Sequence, residues 1–211
     1  MKIFLSIAFL IVIIGIFSLT MSKIEKNPRN LIFAALFAAL TVVGTWIKIP
    51  LPFIPITMQV FFVIFAGVFL GSKLGLISQL IFMLIGLIGI PVFSFGGGLD
   101  SIFMPSFGYI IGFALAAFTS GLIIEKTNKR NFYTYLFASF AGILVIYLCG
   151  VPYLYFINTI YLAKPFTIKA AVYYGFLVFL GKDIVSAIML SIILPSISRA
   201  VNFNKQSSIS N

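Results

Sequence analysis

A lysine and an aspartate stand side by side, Lys182-Asp183, inside the apolar run that begins near residue 170, and Ser186 follows one turn later. Each charge costs about 2.5–3.5 kcal/mol at a helix centre on insertion scales, so such residues usually face a cavity or a partner. On a helix Lys182 and Ser186 share a face, while Asp183 is turned by about 100° from Lys182. The plainer alternative puts both charges near a membrane interface, where Lys182 can snorkel. Gln59 follows a proline-rich segment, Trp46-Ile-Lys-Ile-Pro-Leu-Pro-Phe-Ile-Pro-Ile-Thr-Met-Gln59. Its amide can donate to and accept from a heterocyclic ligand, although interhelical bonding explains it nearly as well. Tyr109 and Tyr147 each offer a stacking face and a hydroxyl. Finally, Pro91-Val-Phe-Ser-Phe-Gly-Gly-Gly-Leu-Asp100 sets three glycines and an acid between two apolar runs. Gly96, Gly97 and Gly98 give a backbone that folds tightly and approaches a ligand closely, and Asp100 adds a charge. That stretch reads as a binding loop at a membrane face or as a flexible turn between helices.

Other chemistry is excluded by what is missing. The chain has no histidine, one cysteine (Cys149) and four acids, Glu25, Asp100, Glu125 and Asp183. Histidine-assisted nucleophilic catalysis, a metal-ligand cluster and an internal disulfide all lack their residues. No Walker A loop is present, so ATP is not bound in that manner. No cofactor is expected. The composition is 62% hydrophobic and 9% charged, with a mean hydropathy of +1.20 over 211 residues. A soluble domain of this length needs far more charge to cover its surface. The net charge of +10 does not point to nucleic acid, because the basic residues sit in turns rather than in an aromatic-interleaved patch. That distribution marks membrane topology.

The elements that must position these residues are apolar spans near 3–20, 31–47, 56–70, 74–90, 106–124, 132–157 and 170–197. About 20 helical residues cross a bilayer core, so the second to fourth spans are short. The last two are long enough to tilt or to break near Gly150-Val-Pro152. If Met21–Asn30 is cytoplasmic, that side holds Lys23, Lys26, Arg29, Lys73, Lys126, Lys129, Arg130, Arg199 and Lys205, nine basic residues. The other side holds three, Lys48, Lys164 and Lys169. This bias predicts an all-α integral membrane protein with six transmembrane helices from residue 31 onward, both ends cytoplasmic and the glycine cluster facing out. The domain is set at 23–199, with a polar cytoplasmic tail at 200–211. Residues 1–22 form an extra hydrophobic segment with a poor cleavage site, either a signal anchor or a stretch before a true start at Met21. In the second span Ala34, Ala35, Ala38 and Ala39 make two overlapping small-xxx-small pairs, suited equally to internal packing or to a partner protein.

These segments together resemble the BioY family, the biotin-specific S subunits of energy-coupling-factor transporters. The resemblance runs from about Leu31 to Pro195. It rests on Leu31–Gly44, Ile49–Gln59, Ala66–Gly75, Gly86–Phe93, the glycine cluster, Pro105–Phe113 and Gly181-Lys182-Asp183. It implies a six-helix S-component bundle in the cell membrane that binds biotin near the outer face. It further implies that the alanine-rich helix docks on a transmembrane coupling subunit carrying two cytoplasmic ATPases, and that the subunit reorients to deliver its ligand. Biotin's ureido ring has two N–H donors and a carbonyl, and its tail ends in a carboxylate. Asp183 would accept from the ureido N–H groups or pair a cation near the carboxylate. Gln59, Tyr147 and the N–H groups of Gly96–Gly98 would add hydrogen bonds. The family commonly carries Gly-Asp-x-x-Lys here, whereas this chain has Gly181-Lys182-Asp183-Ile-Val-Ser186. Ser186 therefore replaces a lysine, and Lys182, one turn earlier, is the candidate substitute for its charge. The glycine loop is also shorter and more apolar than the family pattern. The rival readings are an S subunit for another small vitamin and, less favoured by these residues, a membrane enzyme or assembly factor.

Overall fold

The structure is a computed structural model that describes residues 2–24, 27–127 and 130–207. Glu25, Lys26 and Lys129, which enter the acid and charge counts above, lie outside the described residues, as do positions 208–211 of the tail. Among the described residues, eight α-helices follow in order: α1 (Lys2–Ser22), α2 (Pro28–Trp46), α3 (Gln59–Leu70), α4 (Ser72–Leu87), α5 (Phe107–Lys126), α6 (Phe132–Phe156), α7 (Ile168–Val172) and α8 (Val178–Ser207). A π-helical turn, Tyr173–Leu177, joins α7 to α8, so the two run on as one rod. Five stretches of the described residues are long and apolar enough to cross a membrane: Phe4–Ser22, Pro28–Trp46, Phe107–Lys126, Phe132–Tyr161 and Ile168–Ile197. Of the three spans expected to be short, α3 and α4 are, with 12 and 16 residues, whereas the second becomes α2, whose 19 residues start earlier, at Pro28, and are long enough to cross. At 1.5 Å per residue α3 and α4 reach roughly 18 and 24 Å, less than the hydrocarbon core.

Helix starts follow the sequence. Asn27 accepts from the Arg29 N–H (3.0 Å) with Pro28 at the first helical position, and Asn131 accepts from the Thr134 N–H (3.0 Å). Each satisfies a donor that the helix itself leaves free. Between α2 and α3, Pro50, Pro52 and Pro55 prevent a helix. The chain instead makes a two-stranded antiparallel hairpin, β1 (Lys48–Ile49) on β2 (Ile56–Thr57), pairing Lys48 with Thr57 and Ile49 with Ile56.

Packing centres on α5, which touches α3, α4 and α6. Its crossing with α3 is close because Gly67 presents no side chain: a Cβ there would collide with the Ser120 hydroxyl and the Ala117 carbonyl. Buried polar groups pair across the bundle, as when Gln79 of α4 donates to the Thr41 hydroxyl of α2 (3.2 Å). At the α3–α4 turn, Glu125 accepts from the Ser72 N–H (2.7 Å) and hydroxyl (2.6 Å), capping α4 with an anion.

One expectation is corrected here. α6 does not break at Gly150-Val-Pro152 but continues to Phe156, and its irregularity comes later, as a π-helical turn at Ile157–Tyr161. Proline removes one backbone donor, and Pro152 does so at an exposed position while the flanking turns keep their bonds. The four alanines also divide. Ala34 and Ala38 are buried in the bundle, whereas Ala35 and Ala39 are exposed.

Candidate functional site

One cavity gathers most of the polar candidates at the end of the bundle that carries the 47–58 and 88–106 connections. Its wall is built from the hairpin (Ile54, Pro55, Thr57), α3 (Gln59, Val60), the glycine-containing loop (Ser94), the start of α5 (Ser106, Tyr109, Ile110, Phe113), α6 (Ile146, Tyr147) and the α7–α8 rod (Phe179, Lys182, Asp183). The wall is mostly apolar with a few converging polar groups, the usual make-up of a small-molecule site.

Asp183 is the centre of the polar side. It is 1% exposed, and its Oδ2 accepts a 2.5 Å hydrogen bond from the Tyr147 hydroxyl. Its Oδ1 forms an ion pair with the Lys182 ammonium, but no donor among the described residues gives that oxygen a well-aligned hydrogen bond. A buried carboxylate oxygen without a directed donor is costly, so it is suited to accept from a ligand N–H. Lys182 also donates to the Thr57 carbonyl (2.9 Å), and the Thr57 hydroxyl donates to Gln59 Oε1 (3.0 Å). Tyr147, Asp183, Lys182, Thr57 and Gln59 thus form one connected network across α6, α8, the hairpin and α3. The Tyr147 ring is held edge-on by Phe176, with centroids 4.8 Å apart.

Tyr109 lines the cavity too, but its hydroxyl donates to the Gly175 carbonyl (2.7 Å) in the π-helical turn. What Tyr109 offers the cavity is therefore its ring. Ser186 is buried and donates to the Lys182 carbonyl (3.0 Å), one turn back on its own helix, and it is not part of the cavity wall.

The glycine cluster is placed differently from the expectation. None of Gly96, Gly97 and Gly98 lines the cavity, and Asp100 is exposed in a short 3₁₀ turn, Leu99–Phe103. Gly96 and Gly98 have φ of +110° and +99°, which favour glycine. Their N–H groups are occupied: Gly96 donates to the Phe93 carbonyl (3.1 Å) and Gly98 to the Gly86 carbonyl (2.7 Å). The cluster makes a tight turn that brings Ser94 to the cavity instead. Lys48 of the hairpin donates to the Ser94 carbonyl (3.3 Å), tying the two loops together. Ser94, Ser106, Phe113 and Phe179 are cavity residues that the sequence reading missed. Ser94 lies within the stretch already singled out, whereas nothing in sequence separates Phe113 or Phe179 from the other aromatics.

Apolar helices stacked around a buried polar site at one end define a polytopic helical membrane protein. The comparisons with known proteins are specific. The BioY family pattern matches residues 7–203, and the chain belongs to the BioY family. It is similar to a "probable biotin transporter BioY" of Lysinibacillus sphaericus, 41% identical over 80% of this chain and 84% of that protein. It is also similar to the "biotin transporter BioY" of Thermotoga maritima, 40% identical over 78% of this chain and 93% of that one. Among solved structures, it matches a crystal structure of the S-component for biotin from an ECF-type ABC transporter, with a TM-score of 0.72. That match has 27% identity and covers 83% of this chain and 95% of the other.

Proposed function

We propose that this chain is the biotin-binding S subunit of an ECF-type uptake transporter and carries no catalytic site of its own. The carrying observation is the buried Asp183 carboxylate, one oxygen held by Tyr147 and the other paired with Lys182 but without a directed hydrogen bond, in a mostly apolar cavity of a BioY-family bundle. The oxygen paired with Lys182 keeps lone-pair capacity to accept a ureido N–H, and the apolar wall from Ile110, Phe113, Ile146 and Phe179 takes the thiophane ring and aliphatic tail. Lys182 faces the ligand carboxylate and stands in for the lysine that Ser186 replaces. The site opens to the outer face, since the opposite end carries the basic excess. The protein sits in the cell membrane with its C-terminus inside. Ala35 and Ala39, the exposed pair on α2, contact the transmembrane coupling subunit, which links to two cytoplasmic ATPases.

The test is equilibrium binding of biotin and of biotin methyl ester to the purified protein and to Lys182→Met. The native protein should prefer biotin, and because the variant also strips Asp183 of its ion-pair partner both ligands should weaken, biotin by roughly tenfold or more beyond the ester. An equal loss for both ligands would remove Lys182 from the carboxylate. Binding of neither ligand by the native protein would overturn the biotin reading itself.

A further inference from the structure

Helix α1 takes no part in the cavity, yet it is not loosely attached. Most of its large side chains are exposed, as on a helix turned to lipid. One stripe is different. Ser6, Phe9, Leu10, Ile13 and Phe17 recur at spacings of three and four, which places them on one face. Ser6 and Ile13 are buried, and the other three pack against the core. This stripe runs along α4 and meets the Leu99–Phe103 turn.

At the cavity end, the Phe9 ring lies edge-on to Phe107, with centroids 5.5 Å apart. Phe107 is fully buried and lies edge-on to Phe93 at 6.2 Å. Phe93 closes the turn to Gly96, and its neighbour Ser94 lines the cavity, as does Ser106, the neighbour of Phe107. Phe9, Phe107 and Phe93 therefore connect α1, from behind, to two positions in the cavity wall. At the opposite end, Lys73 donates to the Lys23 carbonyl (3.4 Å), so the segment that follows α1 is held as well.

We infer that α1 is a brace: Phe9 holds the 88–106 segment against the bundle, and this keeps Ser94 and Ser106 in place around a bound ligand. Phe9 is a positioning residue that touches no ligand. Without its ring, Phe107 loses an aromatic partner, the loop opens more often, and a bound ligand escapes faster. The ligand part rests on the proposed biotin site; the loop part does not.

The experiment is hydrogen exchange on the full chain in lipid nanodiscs without ligand, comparing native protein, Phe9→Ala and Lys73→Met, followed by biotin dissociation rates. Phe9→Ala should exchange amides in 88–106 up to about tenfold faster and release biotin faster by a similar factor, with amides of α6 unchanged. Lys73→Met, altered at the far end, should leave 88–106 as in the native protein. Unchanged exchange in 88–106 would overturn the brace, and equal acceleration throughout α6 would reduce Phe9 to general stability. If no form binds biotin, the biotin reading fails while the exchange data still decide the brace.

Discussion

At the scale of single residues, the site depends on how one carboxylate is held. Tyr147 orients Asp183 from α6 and Lys182 neutralises it from the adjacent position, so the charge survives burial without being fully hydrogen-bonded. Tyr147→Phe removes the directed donor and leaves Oδ2 without it. The variant should unfold about 1–3 kcal/mol more easily in detergent, measured by thermal melts, and biotin should still bind, only more weakly. A melt identical to that of the native protein would mean that the hydroxyl does not carry this load. Asp183, Lys182 and Gln59 stood out in the sequence because charge and amide groups inside apolar spans demand partners, and Tyr147 because its ring carries a hydroxyl; all four line the cavity. Gly96–Gly98 misled for the opposite reason. Three glycines announce a tight backbone, but only the folded turn shows that two of their N–H groups already bond to Phe93 and Gly86. Ser186 was equally opaque, since a helical serine can turn back to its own backbone, as this one does.

At the scale of elements, α2 has two faces. Ala34 and Ala38 are buried against the bundle, while the neighbouring pair, Ala35 and Ala39, is exposed. Ala38→Leu should therefore overpack the interior and lower stability by about 1–3 kcal/mol. Ala35→Leu should leave stability and biotin affinity unchanged and weaken copurification of a coupling subunit. If the two variants behaved alike, the division of faces would be wrong. The small-xxx-small pattern gave the helix but not this division, because adjacent alanine pairs one turn apart leave both faces available. Helix order and approximate limits were readable from hydropathy alone. The π-helical turns at Ile157–Tyr161 and Tyr173–Leu177 were not, because no residue type marks a one-residue slip in backbone bonding. The 47–58 hairpin was only half readable: its prolines excluded a helix, yet the register of Lys48 on Thr57 depends on tertiary contacts.

At the scale of the whole molecule, the polar cavity and the basic turns lie at opposite ends of the bundle, which fits capture of a ligand on one side and energising on the other. With Cys149 replaced by serine, a cysteine at Asp100 should react with an impermeant maleimide added outside intact cells. One at Arg130 should react only after the cells are opened. Reversed labelling would invert the orientation. The central claim is that Asp183 binds biotin in the cavity among α3, α5, α6 and α8. Calorimetric titration of biotin into the purified native protein and into Asp183→Asn tests it directly. Binding should be saturable at one biotin per chain and weakened by roughly ten- to a hundredfold in the variant, as for a lost hydrogen bond to a charged group. Equal affinity in the two proteins would contradict the claim.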